Sequence, residues 1–515
     1  MKNREIKAAW EYHNGTKHSY QGSRANPHYL DWQNQPLPFK IYPKLEPIAL
    51  SPEISSSAMP ALSAISAFPA SPSAATKLTR ENLAALLFLS AGITRRRSYP
   101  GGEIGFRAAA CTGALYHIDL YLVCGDLEDL AAGVYHFSPH DFALRCLRQG
   151  DFRADLVSAS GAEPAIARAP GIVISASTFW RNAWKYQSRA YRHCFWDNGT
   201  MLANLLAAAA ARNIPACVVA GFVDESIRDL LALDDKREAP LSLVALGDCA
   251  DLAVMAALPL EPLALETVPL SKSEVAYPAM REMHLASALA TEAEVEAWRR
   301  EGIDGAARDE EIITGRLFPL EPIDDGALPQ DKVEEVIVRR GSARQFAQQS
   351  ISLAELSTAL DRASRGISAD FLNGPKDSLN SIYLIVHAVD ELPAGAYFYR
   401  RAERALELLK EGDFRREAGY LGLGQEIPAD CSVNVYFLTN LEAVLERFGN
   451  RGYRAAQLEA AILAGKLYLA AYAQRLSASG LTFFDDDVTN FFSPHAAGKS
   501  VMFLLALGKS LKPNR

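Results

Sequence analysis

Gly133-Val134-Tyr135-His136-Phe137 and Gly395-Ala396-Tyr397-Phe398-Tyr399 are the two stretches on which the reading of this chain turns. They lie 262 residues apart. The same interval separates Leu147-Arg148-Gln149-Gly150-Asp151-Phe152 from Leu409-Lys410-Glu411-Gly412-Asp413-Phe414, and Arg189-Ala190-Tyr191-Arg192 from Arg451-Gly452-Tyr453-Arg454. It also separates Tyr121-Leu122-Val123 from Tyr383-Leu384-Ile385. One such match arises by chance, whereas one interval over four matches implies a tandem duplication. The copies also end alike, Val244-Ala245-Leu246-Gly247 against Leu505-Ala506-Leu507-Gly508, one residue out of step.

Upstream, residues 78–93 resemble 351–367. Each begins at a hydroxyl cap, Thr79 or Ser352, with Glu81 or Glu355 soon after, and ends at Gly92 or Gly366. That is the pattern of a helix with an N-cap and a glycine stop. Each copy then reads as strands followed by a long helix and a last strand. The long helices, 197–212 and 457–475, are Ala-rich and apolar on most faces, so they must be buried. Their small residues predict that they pack together at the centre. The fold class expected is α/β: two sheet-plus-helices units forming an intrachain pseudo-dimer. The boundaries read as 1–77 for an N-terminal extension and linker, 78–255 and 331–515 for the units, and 256–330 for a connecting strap. Residues 51–75, rich in Ser, Ala and Pro, read as a flexible linker. In the strap, Thr291 and Glu294 have capping-box spacing and predict a helix over 291–300.

The chain has 515 residues and a net charge of -8, which argues against a nucleic-acid-binding surface. No apolar run reaches the length of a membrane span and the N-terminus lacks a signal-peptide pattern, so a cytoplasmic protein is expected. The seven cysteines are scattered and never form CxxC, which speaks against a disulfide framework or a zinc site. Asp485-Asp486-Asp487 has no His or Glu in ligand spacing, so it reads as a solvated loop, and no metal site is expected.

Several motifs, in order, resemble the nitroreductase superfamily, and within it the SagB-type dehydrogenases that include azoline oxidases. Tyr12-His13-Asn14-Gly15-Thr16-Lys17-His18-Ser19, Leu30-Asp31-Trp32 and Pro38-Phe39-Lys40-Ile41-Tyr42-Pro43 look like that subgroup's N-terminal segment. Arg107, then Cys111-Thr112-Gly113-Ala114-Leu115-Tyr116, looks like its flavin loop, with His117 where the family has a second proline. Lys185-Tyr186 resembles the Lys-Tyr pair of the azoline oxidases. Arg339-Arg340-Gly341-Ser342-Ala343-Arg344-Gln345-Phe346 resembles the arm that grips the flavin phosphate. The resemblance implies FMN as cofactor, with Lys185 and Tyr186 catalytic. It implies contacts to the cofactor from Arg107, Cys111, Thr112, Gly113, Ala114, Arg339, Arg340, Ser342, Arg344 and Lys509.

Comparing the copies separates scaffold from site. Arg-x-Tyr-Arg occurs in both and reads as structural. The arginine-rich arm occurs only in the second copy, and so does a basic chain end, Lys509, Lys512 and Arg515, against Asp248 and Asp251 after the first. Convergent guanidinium groups and a hydroxyl are what a phosphate dianion requires. The first copy keeps the loop and Lys185-Tyr186, whose counterparts are Arg447-Phe448. The surviving halves therefore complete one site between them. A phenol beside a lysine ammonium is expected to have a lowered pKa and to serve as a base. The function expected is removal of hydride from a carbon of a small-molecule or peptide substrate, with NAD(P)H or O2 as a redox partner. An NAD(P)H-dependent nitro- or quinone reductase and a non-catalytic partner protein are the alternatives.

Overall fold

The computed structural model describes residues 2–25, 28–68, 75–100, 102–249, 258–304 and 313–511. Asp251, Lys512 and Arg515 lie outside the described residues. The duplication is visible in the sheets. The first has the strand order Pro47–Ala49, Ala143–Gln149, Gly133–Ser138, Ile118–Cys124, Gly171–Thr178, Glu238–Leu246, Ala216–Val219. The second has Arg316–Pro319, Ala405–Glu411, Gly395–Arg400, Ser381–Val386, Val433–Thr439, Ser500–Gly508, Ser477–Leu481. Every neighbouring pair is antiparallel. Even the irregularities repeat at the 262-residue interval. Bulges fall at Val134/Tyr135 and Ala396/Tyr397, and at Ser175/Ala176 and Phe437/Leu438. The N-terminal extension and the strap each supply one edge strand, so both segments belong to the sheets.

The two long helices, Ala190–Ala211 and Asn450–Ala473, pack together between the sheets as expected, and every residue of the second is buried. A Cβ at Gly199 would collide with Ala461 Cβ, and one at Gly465 would stand 2.5 Å from Ala203 Cβ. These four residues are two pairs of equivalent positions at the 262-residue interval. Equivalent residues touch one another only beside a two-fold axis.

The Arg-x-Tyr-Arg motifs act across that axis. Arg189 and Arg192 of the first unit hold Asp485 of the second at 2.9 and 2.5 Å. Arg451 and Arg454 of the second hold Asp224 of the first at 2.5 and 2.6 Å. The expectation of a solvated loop at Asp485-Asp486-Asp487 is therefore corrected. Asp485 is buried at the start of the helix Asp485–Phe492, while Asp486 is exposed and Asp487 half-buried, in a first turn where the helix dipole favours them. The N-terminal helix Lys7–Gly15 seals the junction. Arg192 Nη2 donates to His13 O and Arg189 Nη1 to Thr16 O, and the Tyr12 ring lies edge-on to the equivalent rings of Tyr191 and Tyr453.

The reading of residues 51–75 as a flexible linker also needs correction. Ala61–Ser66 is a helix whose Ala61, Leu62, Ala64 and Ile65 are buried against the central helices. Small apolar residues one turn apart gave it a packing face that composition concealed. In the strap, the helix is Glu292–Asp304, with Thr291 Oγ1 accepting from Glu294 N, and Trp298 on it is fully buried. No helix among the described residues is long and apolar enough to cross a membrane.

Candidate functional site

Between an exposed ribbon, Ile93–Tyr99 with Gly102–Arg107, and the strand Ile118–Cys124, the first unit forms a sharply bent loop. Gly113, Ala114 and Tyr116 have φ of 63°, 54° and 48°. Two of these are not glycine, and left-handed residues of that kind cost on the order of 1 kcal/mol or more each. What holds them is one carboxylate on the first central helix. Asp197 accepts from Thr112 N at 2.8 Å, Thr112 Oγ1 at 2.7 Å and Cys111 Sγ at 3.0 Å, and His117 Nε2 lies 2.9 Å away. Burial and the neighbouring Asp197 push the Cys111 thiol well up, and Tyr116 N donates to its sulfur at 3.1 Å. Cys111 is thus a protonated anchor of the loop. Asp197 went unread in the sequence, although Glu459 stands 262 residues on and does the same work in the second unit, accepting from Ser378 Oγ and Asn380 Nδ2.

Lys185 and Tyr186 end the helix Phe179–Tyr186, and the Tyr186 hydroxyl lies over the loop, 2.8 Å from where a Cβ on Gly113 would be. Lys185 Nζ stands 5.3 Å from the centre of the Tyr186 ring. The expected lowering of the phenol pKa is overturned. Burial, then Asp197 and Cys111, raise it, and Arg344 only partly opposes them. The ammonium faces the ring, while the Asp197 carboxylate acts on the hydroxyl. Tyr186 is therefore held as a neutral phenol.

The arm of the second unit meets this loop. Arg340 Nε donates to Ala108 O at 2.9 Å and Nη2 to Arg107 O at 3.4 Å. Ser342 Oγ lies 3.2 Å from Tyr468 Oη. The C-terminal strand continues alongside the arm, with Ala347 N donating to Lys509 O, so Lys509 is brought beside it. Ser342, Arg344 and Lys509 are exposed. Two of the arginines expected at the cofactor are engaged by the chain itself. The Arg107 guanidinium donates to Pro38 O of the N-terminal segment at 2.5 Å and to Ile118 O of the neighbouring strand at 3.2 Å. Arg339 is directed to Asp331 at 2.6 Å and Tyr472 O at 2.8 Å.

A run of ring contacts leads from the loop of the first unit to the second. Tyr186 packs on His193 at 4.6 Å between centroids, His193 on Trp196 at 4.9 Å, and Trp196 on Phe483 of the second unit at 5.7 Å. Three buried polar atoms here have no partner among the described residues: Arg340 Nη1, His193 Nε2 and Thr482 Oγ1. Unpaired buried polar atoms are costly unless something satisfies them. None of His193, Thr482 or Tyr468 carries a signal in the sequence.

The pseudo-symmetric position is built differently. Ala220 N and Gly221 N, equivalent to Leu481 and Thr482 in the closing register, donate to Asp370 at 2.8 and 2.9 Å. Arg299 lies 3.5 Å from the same carboxylate, and Trp298 crowds Gly221. The chain's own side chains take these donors.

The Nitroreductase family model matches the chain twice, over residues 74–248 and 337–509. A nitroreductase-like protein of Methanocaldococcus jannaschii is 26% identical over 170 residues, covering 33% of this chain and 81% of its own length. The microcin B17-processing protein McbC of Escherichia coli is 29% identical over 161 residues, or 30% of this chain; the chain spans about half of McbC, 56% of its length. A crystal structure of a nitroreductase-like protein from Anabaena variabilis superposes with a TM-score of 0.77 at 25% identity, covering 98% of this chain and 99% of that one.

Proposed function

The chain belongs to the nitroreductase family, and from that premise we propose that it is an FMN-dependent oxidoreductase that removes hydride from a substrate carbon, with an azoline ring as the favoured substrate. The observation that carries this reading is the junction of arm and loop through Arg340, Ala108 and Arg107, which makes one composite cleft from two units. The partnerless Arg340 Nη1 of the arm and Thr482 Oγ1, next to Phe483, would be satisfied by a ligand with a phosphate at one end and a polar ring edge at the other.

Bound FMN would supply the two-electron acceptor. Arg340, Ser342, Arg344 and Lys509 would hold its phosphate, and the backbone of Thr112–Ala114 with the Thr482 hydroxyl would hold the ring's polar edge. Asp197 keeps the loop bent by taking the Thr112 amide, and Cys111 O takes that of Ala114, so the loop would meet the ring's edge through Gly113 N. Tyr186, kept protonated, donates a hydrogen bond to a substrate heteroatom and so acidifies the neighbouring C–H. Lys185, beside that ring, would accept the released proton as the neutral amine. The likeness to McbC, named for processing microcin B17, supports a peptide-derived substrate.

The test is the flavin released by denaturation, followed by anaerobic reduction of the flavin with an azoline-containing peptide. One FMN per chain and reduction by the peptide are expected. Two FMN per chain would remove the single composite site. Reduction by NAD(P)H but by no azoline would replace the proposal with a nitro- or quinone reductase. No flavin after reconstitution would leave a non-catalytic partner protein.

A further inference from the structure

A cavity of about 150 Å³ lies on the far side of the central helices from the cleft, walled by Ile65, Phe68, Leu206, Ile214 and Ile367, with Lys466 in its lining. We propose that it is a second ligand site, one that takes a benzene-sized apolar molecule bearing a carboxylate, with Lys466 as the counter-ion.

Its place in the fold explains its chemistry. Lys466, Leu206 and Ala210 are equivalent, at the 262-residue interval, to Asn204, Tyr468 and Tyr472. In the cleft, Tyr468 and Tyr472 flank the arginine-rich arm. Here both tyrosines are replaced by aliphatic residues, and Ala67-Phe68 stand where the arm would be. The arginines that would hold a dianion are missing from the lining, and an apolar pocket with a single amine remains. The volume is that of an apolar cavity which accommodates benzene.

The amine has no ion-pair partner among the described residues. It is 6% exposed and its one hydrogen bond goes to Gly366 O at 2.7 Å. Arg401 is the charged group acting on it, and it repels. Burial, with Arg401 adding to it, brings the amine down to about 7. An ammonium in such a wall lacks a counter-charge, and a carboxylate brought against it by an apolar body supplies one. The sign follows. Below pH 7 the amine is already charged and binding takes up no proton. Above pH 7 each binding event must take one up, so affinity falls as pH rises.

The experiment is calorimetric titration of the full-length protein with benzoate as probe. Saturable binding is expected, weakening roughly fifteenfold from pH 7 to pH 8.5 as the free amine deprotonates. Lys466→Met should abolish it. Ala210→Phe, which fills the pocket and leaves the amine in place, should abolish it as well, and this variant decides the matter if Lys466→Met does not fold. Absence of binding to the unmodified protein, pH-independent affinity, or wild-type affinity in a folded variant would each overturn the proposal.

Discussion

Arg339 and Arg340 are neighbours in one motif, and a reading by motif treats them alike; the structure separates them. Arg340 ties the arm to the loop and has one nitrogen, Nη1, without a partner at the cleft. Arg339 is engaged by Asp331 and Tyr472 O. A hydrogen bond to a charged group contributes about 1.5–3 kcal/mol. Arg340→Met should therefore weaken FMN binding by about tenfold to 150-fold. Release of the loop from the arm would add to that loss. Arg339→Met should leave FMN affinity within about threefold. It should also lower stability by at most about 1 kcal/mol, since Asp331 is partly exposed and keeps Arg475 at 2.8 Å. Fluorescence titration of FMN into the apoprotein measures the first quantity and urea unfolding of the apoprotein the second. Equal losses of FMN affinity in the two variants, or a larger loss for Arg339→Met, would refute the assignment of the arm.

The clamps across the two-fold axis should behave as a pair. Asp224→Asn and Asp485→Asn each leave two buried arginines without a counter-charge, and urea unfolding should show a loss of about 3–5 kcal/mol for either; a silent change at one and a severe change at the other would contradict the symmetric reading. The two arginines hold the Asp224 carboxyl down at about 2, against an ordinary 3.8, although burial opposes them. Being depressed, it contributes its full stability above pH 4 and loses it as pH falls through about 2, so acid unfolding of wild type should show a loss of about 2 kcal/mol over that range that is missing in Asp224→Asn. Tyr186→Phe should keep normal FMN content while slowing substrate-driven flavin reduction by roughly 10²–10⁴-fold, the range of a general acid or base. Because that phenol is raised, the wild-type rate should show no alkaline loss near pH 8 that disappears in Tyr186→Phe, and such a loss would show that the phenol ionises near neutrality.

The duplicated plan was legible because it is written in short-range patterns. Strand alternation, helix caps and glycine stops recur at one interval, and the bulges at Tyr135 and Tyr397 show that even local irregularity was copied. The direction of a long side chain was not legible. Whether the Arg107 guanidinium faces a cofactor or Pro38 O depends on where a distant segment folds back. Composition misled at 61–66, where Ala, Leu and Ile form a packing face, and at Asp485, whose partners lie nearly three hundred residues upstream. The same geometry accounts for which features both copies kept. The helix crossing at Gly199 and Gly465 and the two Arg–Asp clamps each have one half on either unit. Losing any of them loosens the whole chain, so both copies are constrained. On the proposed reading a cofactor needs one arm and one loop, and a fused chain always holds both. On that reading the second arm and second loop were free to change; Asp370 takes the Ala220 amide at the pseudo-symmetric position, and an apolar cavity lies beside it.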